Sequence, residues 1–433
     1  MALHEICRRP ARLIMRVLLV MPNVVSYESF LASLGAEMRG EGEEVHLACS
    51  VAKFGDSSTE VPGPGADGKE GGPKIHAIDF ARGMNPIAHL RAARRLDALV
   101  GQLRPDVVHA HFDAAIFTTA LARTRRWPAT IATFHGLSFP ILQGWRRFVI
   151  RAATAWAVRR FDGVWVLNSE NRDLLRAAAH GADIRDMQSA GVGCDTARFT
   201  APPKAVRDAA RAGLGFSSGH CVFAYVGRLT EAKGFALTVR AFLQFAKAEP
   251  EARLLIVGGR DPLHPTGLSI EEEEELKKSP HIKSVGYCDD VERYLAAADV
   301  MVLPSFREGM PVGLMEALAM GVPVLTRDVC GCRDVVRNDI DGIVLRDCTV
   351  GNLAAAMKQL ADSPDLRQRM SNRALADRDR FSRAHFIREQ REIYKSLVRS
   401  EEETSEANHA SAKAYSLSGR LRSPKTKRIS TPQ

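Results

Sequence analysis

Short apolar runs alternate with longer helix-forming stretches along most of the chain. In the first half the runs are Val17 to Met21, Glu44 to Ala48, Ile75 to Asp79, Asp106 to His111, Thr130 to Phe134 and Gly163 to Leu167, with a last one near Met187 to Ala190. Each has the length of a strand, and its largely apolar character predicts a strand covered on both faces. The segment Pro22 to Ser26 reads as a loop. Helices are predicted between most of the runs, among them Ser29 to Arg39 and a basic one over His89 to Leu103. No hairpin signal separates the runs, so the strands are expected to lie parallel. Gly191 to Asp208, with Pro202-Pro203, reads as a linker. A second series follows: Cys221–Val226, Arg253–Val257, Ile282–Val285, Val300–Leu303, Val322–Leu325 and Gly342–Leu345. The predicted fold class is α/β, with two doubly wound domains of similar size.

One stretch within the second series carries more than fold information. Pro304 to Pro323 reads PSFREGMPVGLMEALAMGVP and lies between two predicted strands. Pro311 suits the first position of a helix over Val312 to Met320, Gly321 suits its stop, and Pro323 keeps it from resuming. Glu308 falls in the loop and Glu316 in the second helical turn. A strand, loop and helix N-terminus make a place for an anion. Two carboxylates beside it invite hydroxyl groups, so a phosphate joined to a sugar fits.

Composition narrows the class only a little. A chain of 433 residues, 45% apolar and 26% charged, has room for two or three globular domains and is not disordered throughout. The net charge of +9 favours nucleic acid, phosphorylated substrates or an acidic membrane surface, without choosing among them. Eight scattered cysteines contain no C-x-x-C pair, which argues against a zinc site or a disulfide framework and for reduced thiols in the cytosol. No apolar run approaches the roughly 18–20 residues of a membrane span. The N-terminal segment lacks an apolar core of signal-peptide length, and Met15 is an alternative start. A cytoplasmic protein is expected, with peripheral attachment to a membrane surface left open. Phe54 to Pro73 reads as an exposed loop. Its formal G-x-G-x-x-G at 63–68 neither leaves a strand nor opens a helix, so it is rejected as a nucleotide site.

The strand Cys221–Val226 runs into Gly227-Arg228-Leu229 and then Lys233-Gly234. Ligands of open α/β sheets bind at such carboxyl ends, and two cations suit a diphosphate. Alone, the pair reads equally as surface residues. Beside Glu308 and Glu316 on a neighbouring strand of the same sheet, a binding site is favoured.

The set Gly227-Arg228-Leu229…Lys233-Gly234 with Glu308-Gly309-Met310-Pro311…Glu316-Ala317 resembles the retaining glycosyltransferases of family 4. The resemblance covers about Arg16 to Val398. It implies the GT-B fold, two Rossmann-like domains facing a central cleft. It divides residues 16–398 into an acceptor-binding domain (16–200), a nucleotide-sugar-binding domain (205–378) and a C-terminal helix packing back on the first domain (380–398), leaving an N-terminal extension (1–15) and a basic tail (400–433) whose lost apolar periodicity reads as disorder. It implies that Arg228 and Lys233 hold the donor diphosphate, that Glu308 meets the transferred sugar and that Glu316 takes the ribose. Backbone N–H groups near Gly309 and Met310 help hold phosphate or sugar. His135, following the strand Thr130–Phe134, lies near the reacting centre, against the alternative that it merely ends a strand. Uridine is the expected base. A finer likeness rests on Tyr27-Glu28-Ser29-Phe30, the stretch from Asp79 to Pro86, Val257-Gly258-Gly259-Arg260-Asp261 and Gly331-Cys332. These resemble bacterial transferases that move amino sugars onto undecaprenyl-diphosphate-linked glycans. The implied partners are a nucleotide-sugar donor and a lipid-linked acceptor, and no nucleic acid.

No metal or other cofactor is expected. Asp377-Arg378-Asp379 lies in a polar helical stretch rather than at a strand end, and fixed cations can stabilise the leaving diphosphate. His109 and His111 share one side of their strand, as structural or cleft-lining residues. The basic, aromatic stretch from Trp145 to Arg160 reads either as a membrane-docking helix or, through Trp145, Phe148, Val149, Ala152 and Trp156, as core. The alternatives to a transferase are a nucleotide-sugar epimerase of the same fold and a non-catalytic sugar-nucleotide-binding protein.

Overall fold

The computed structural model describes residues 14–399 apart from 52–71, 82, 84 and 263. The glycine motif at 63–68, nearly all of the extension before Arg16 and the basic tail lie outside the described residues.

The first sheet has seven parallel strands: β1 (Arg16–Asn23), β2 (Glu44–Ser50), β3 (Lys74–Ala77), β4 (Val107–His111), β5 (Ala129–Phe134), β6 (Gly163–Val166) and β7 (Ile184–Asp186), in the order β3-β2-β1-β4-β5-β6-β7. Between them run α1 (Val24–Phe30), α2 (Ala32–Gly40), α3 (Pro86–Leu103), α4 (Asp113–Ala122), α5 (Gly144–Val158) and α6 (Ser169–Ala178). After α7 (Lys204–Leu214) the second sheet follows. Its strands are β8 (Cys221–Val226), β9 (Ala252–Val257), β10 (Ile282–Gly286), β11 (Val300–Leu303), β12 (Val324–Arg327) and β13 (Gly342–Leu345). They lie parallel in the order β10-β9-β8-β11-β12-β13, with α8 (Phe235–Ala246), α9 (Ile270–Lys278), α10 (Val291–Leu295) and α11 (Val312–Ala319) among the connections. The protein is therefore α/β with two Rossmann-like domains. The central strands are buried along their whole length, which is why they read as unbroken apolar runs.

The last helix, residues 383–399, crosses back onto the first sheet. Phe386, Ile387 and Tyr394 pack in one cluster with Val17, Leu19, Met21 and Leu31. Burying side chains such as Phe386 and Ile387 contributes about 1.5–3 kcal/mol each. The Tyr394 hydroxyl meets His109 Nδ1 at 2.7 Å, and His109 Nε2 meets Thr133 Oγ1 at 2.8 Å, so His109 is a fully bonded core residue.

Four local expectations change. Residues 24–26 are helix rather than loop, because Asn23 ends β1 and caps α1, its side chain accepting from Ser26 N–H at 2.8 Å. The seventh strand lies at Ile184–Asp186, not near Met187 to Ala190. The Glu389 carboxylate takes the N–H groups of Gln188 and Ser189 at 2.7 and 2.8 Å and draws them out of the sheet. The linker ends at Pro203, where α7 begins. The strand after α11 starts at Val324, since Val322 N–H still bonds back to Ala317 O at 2.9 Å and Gly321 adopts φ +76° to allow that turn.

Candidate active site

In each sheet the strand order reverses once, between β1 and β4 and between β8 and β11. Side chains that leave the carboxyl ends there converge on the crevice that the reversal opens. This topology brings Arg228 and Lys233, after β8, beside Glu308, after β11, and faces them with His135 after β5.

On the second-domain wall, Lys233 closes a short 3-10 turn, Glu231–Lys233. Its Nζ donates to both Glu308 oxygens, at 2.6 and 2.8 Å, and Ser305 Oγ donates to Glu308 Oε1 at 2.6 Å. Arg228 is more exposed, with Nη1 2.5 Å from Asp261 Oδ2, and His264 Nδ1 lies 3.1 Å from the same oxygen.

On the first-domain wall, His135 Nε2 and His111 Nδ1 share a 3.1 Å hydrogen bond. The His135 ring stacks on Phe112 with centroids 4.3 Å apart and meets the edge of Phe30 at 4.9 Å. Burial holds its imidazolium form down to a pKa of about 3, so the ring is neutral at ordinary pH and can act only as a hydrogen-bonding group. Its Nδ1 is buried and meets no polar partner among the described residues.

The two walls touch. Gly309 lies so close to the first domain that a Cβ there would stand 1.8 Å from the His135 carbonyl oxygen. Asn168 Nδ2 donates to Gly309 O at 3.0 Å, and Arg333 Nη1 meets Glu170 Oε2 at 2.8 Å. The cavity between the walls has a volume of about 570 Å³, and His135, Arg228, Lys233, Glu308, Gly309 and Met310 all line it. Cys330 also lines it, but burial pushes its thiol up to about 12, so it stays protonated and unreactive.

Glu316 stands apart from that lining, on α11. Burial is the largest influence on its carboxyl and pushes it up to about 7, against the pull of Arg383 and Arg198. Arg383 begins the returning helix and Arg198 belongs to the interdomain segment, so this second carboxylate sits where three segments meet.

Sequence reasoning passed over Phe112, Asn168, Arg307 and Arg333. Phe112 carries a signal only in the backbone, φ +67°, which is strained for an aromatic residue. Asn168 had a readable one, a polar residue directly after an apolar strand, and it caps α6 as well as holding Gly309. Trp145, Phe148, Val149 and Trp156 are exposed, so the core reading of that helix is set aside.

Two Rossmann-like domains facing a cleft make the GT-B architecture, with cations and a carboxylate on its second-domain wall. Each domain matches a glycosyltransferase family: residues 206–377 match the family described as "Glycosyl transferases group 1", and residues 27–188 match "Glycosyl transferase 4-like domain". Among similar proteins is the Escherichia coli UDP-Gal:alpha-D-GlcNAc-diphosphoundecaprenol alpha-1,3-galactosyltransferase, 24% identical over 68% of this chain and 79% of the relative. The D-inositol 3-phosphate glycosyltransferase of Nocardia farcinica is 32% identical over 48% of this chain and 46% of the relative. Among solved structures, a glycosyltransferase from Rickettsia africae superimposes with a TM-score of 0.71 at 18% identity, covering 89% of this chain and 99% of that one. Anabaena HepE in complex with UDP gives a TM-score of 0.69 at 15% identity, covering 88% and 100%.

Proposed function

We propose that the protein moves a hexose or N-acetylhexosamine from a UDP-sugar to a lipid-diphosphate-linked glycan or polysaccharide precursor, with retention of configuration. The observation that carries this reading is the Lys233–Glu308 pair, held at 2.6 Å in the cleft that His135 also lines. Arg228 and Lys233 take the donor diphosphate. Its charge draws Lys233 from Glu308, which then accepts hydrogen bonds from hydroxyls of the transferred sugar. Backbone N–H groups at Gly309 and Met310 and the neutral His135 ring complete the sugar's surroundings. As the sugar–phosphate bond breaks, the fixed cations stabilise the departing UDP without reorganising. The sugar passes through an oxocarbenium-like state, and the leaving phosphate takes the acceptor's proton on the same face. No metal is required on this scheme. The relative that acts on GlcNAc-diphosphoundecaprenol and the UDP held by HepE support the donor and acceptor classes.

The deciding experiment is a panel of UDP-sugars assayed with and without a prenyl-diphosphate sugar, in the presence and absence of a chelator, with the product anomer determined by NMR. Transfer that needs acceptor, survives chelation and retains configuration is the expected result. Conversion of the donor without acceptor would establish an epimerase, and donor binding with no turnover a binding protein.

Glu316 is assigned to the ribose hydroxyls. Its pKa of about 7 lies above the ordinary 4.5, so the fold favours the protonated acid. Stability from this group is full below about 4.5 and is lost as pH rises through about 7. Hydroxyl donors bond more strongly to the ionised carboxylate than to the neutral acid, so affinity for the UDP-sugar is expected to tighten as pH rises from 6 to 8. Glu316→Gln should flatten that dependence in calorimetric titrations. An unchanged slope in the variant would remove Glu316 from the donor site.

The working place is the cytoplasmic face of the membrane. Among the described residues no helix is long and apolar enough to cross a membrane. Helix α5 has no acidic residue, and it exposes Trp145 (65%) and Phe148 (72%) beside Arg146, Arg147 and Arg151. Aromatic rings with interleaved arginines suit an anionic lipid interface. Flotation with anionic liposomes is expected, weakened by high salt and by Trp145→Ser with Phe148→Ser. Equal flotation with zwitterionic liposomes would discard this surface.

A further inference from the structure

We infer that Arg307 is the anchor for the acceptor's diphosphate, at the point where the lipid chain leaves the cleft across Ile141 toward Trp145 and Phe148. This rests on the glycosyl-transfer reading above and names a residue and a route for its acceptor.

Four side-chain cations line the cavity: Arg228, Lys233, Arg307 and Arg333. Three already have carboxylate partners. Arg228 pairs with Asp261, Lys233 with Glu308, and Arg333 with both Glu170 and Asp328. Among the described residues Arg307 makes no ion pair, and its one hydrogen bond, Nη1 to Leu137 O, is long at 3.4 Å. Its charge also acts on Asp113, whose carboxylate already accepts from Ser138 N–H at 3.1 Å and from the Ser138 hydroxyl. Arg307 is thus an exposed cation, on the second domain's Glu308 loop, that reaches the first domain with its charge uncommitted.

What lies beyond it decides the ligand. From Leu137 the chain passes through a short 3-10 turn, Phe139–Ile141, directly into α5. Pro140 and Ile141 line the same cavity as Arg307, and Ile141 is 59% exposed. Along the chain from the Leu137 carbonyl that Arg307 meets, the order is an apolar rim, Pro140 and Ile141, then the exposed Trp145 and Phe148 among arginines. A sugar nucleotide has nothing to lay along that ridge, and its diphosphate is served by Arg228 and Lys233. An anion joined to a long apolar chain matches the sequence of groups. The chemical class is therefore a prenyl-diphosphate-linked sugar, its diphosphate on Arg307 and its chain on the ridge.

The test compares wild type, Arg307→Ala, Arg307→Lys and the Trp145→Ser, Phe148→Ser double variant. The acceptors are a long-chain prenyl-diphosphate sugar and a short alkyl-diphosphate sugar, and UDP affinity is titrated separately. Losing charge-assisted hydrogen bonds to a diphosphate corresponds to about ten- to a hundredfold. Arg307→Ala is expected to raise KM for both acceptors by that factor while the Kd for UDP stays within about twofold, with Arg307→Lys intermediate. The double variant is expected to raise KM for the long-chain acceptor alone. An unchanged acceptor KM in Arg307→Ala overturns the assignment, as does a UDP Kd that weakens in step with it, which would place Arg307 in the donor site. If wild type transfers sugar to neither acceptor, the transferase reading fails. Equilibrium binding of the same two acceptors to wild type and Arg307→Ala then decides Arg307 by itself, equal affinities overturning it.

Discussion

Glu308→Ala is expected to lower kcat/KM for sugar transfer by at least about a hundredfold, the usual scale for removing a preorganised electrostatic contact at a reacting centre. Two losses combine. The transferred sugar loses a hydroxyl acceptor, and Lys233 loses the carboxylate that holds its ammonium at 2.6 and 2.8 Å. Ser305 loses its acceptor as well. Lys233→Ala should act differently, raising the Kd for UDP, because the diphosphate then meets Arg228 alone. The double variant separates the two effects: residues bonded to each other give non-additive free energies, whereas independent contacts would add. Steady-state kinetics with calorimetric UDP titration would check this. Turnover within a few-fold of wild type in Glu308→Ala would remove the pair from the chemistry.

Gly309→Ala should be nearly as damaging, for a steric reason. The added methyl would stand 1.8 Å from the His135 carbonyl oxygen, a backbone atom that cannot rotate away. Either the loop from Pro304 to Met310 or the end of β5 must yield by more than about 1 Å. Displacement of that size costs about a hundredfold when reacting groups must be aligned. The Asn168 hydrogen bond to Gly309 O would be strained with it. Since the clash lies between domains and not within either core, the melting temperature should move little and UDP should still bind the second domain. The check is kcat against Kd for UDP, with thermal denaturation beside them. Loss of both kcat and UDP affinity would place the damage inside the second domain, and activity within threefold of wild type would mean that the closed contact is not used.

Much of this site was readable before any coordinates. The Arg228, Lys233, Glu308 and Glu316 motifs are local, each a few residues long and each tied to a strand end. Strands β4, β5, β8 and β11 announce themselves because a strand covered on both faces must be apolar throughout. What failed to read was decided by partners far away in the chain. Gln188 and Ser189 leave the sheet because Glu389, two hundred residues on, takes their N–H groups. Helical spacing could not say whether Trp145 and Phe148 face a neighbour or solvent, since periodicity marks a face and not what covers it.

The opening stretch of the second domain's loop shows the division most clearly. Pro304 to Pro323 by itself specifies a loop, a helix that begins after Pro311 and stops before Gly321, and two carboxylates, because local sterics and helix-end chemistry settle each of these. Only the tertiary structure separates the two acids. The reversal between β8 and β11 sets Glu308 against Lys233 in the cleft, while the returning helix buries Glu316 near Arg383 and lifts its pKa to about 7. Likewise only the meeting of the domains requires glycine at 309 and leaves Arg307 as the cleft cation without a carboxylate partner among the described residues. Local sequence can place a charge at a strand end, but which charge neutralises which depends on how the two sheets are wound and how they face each other.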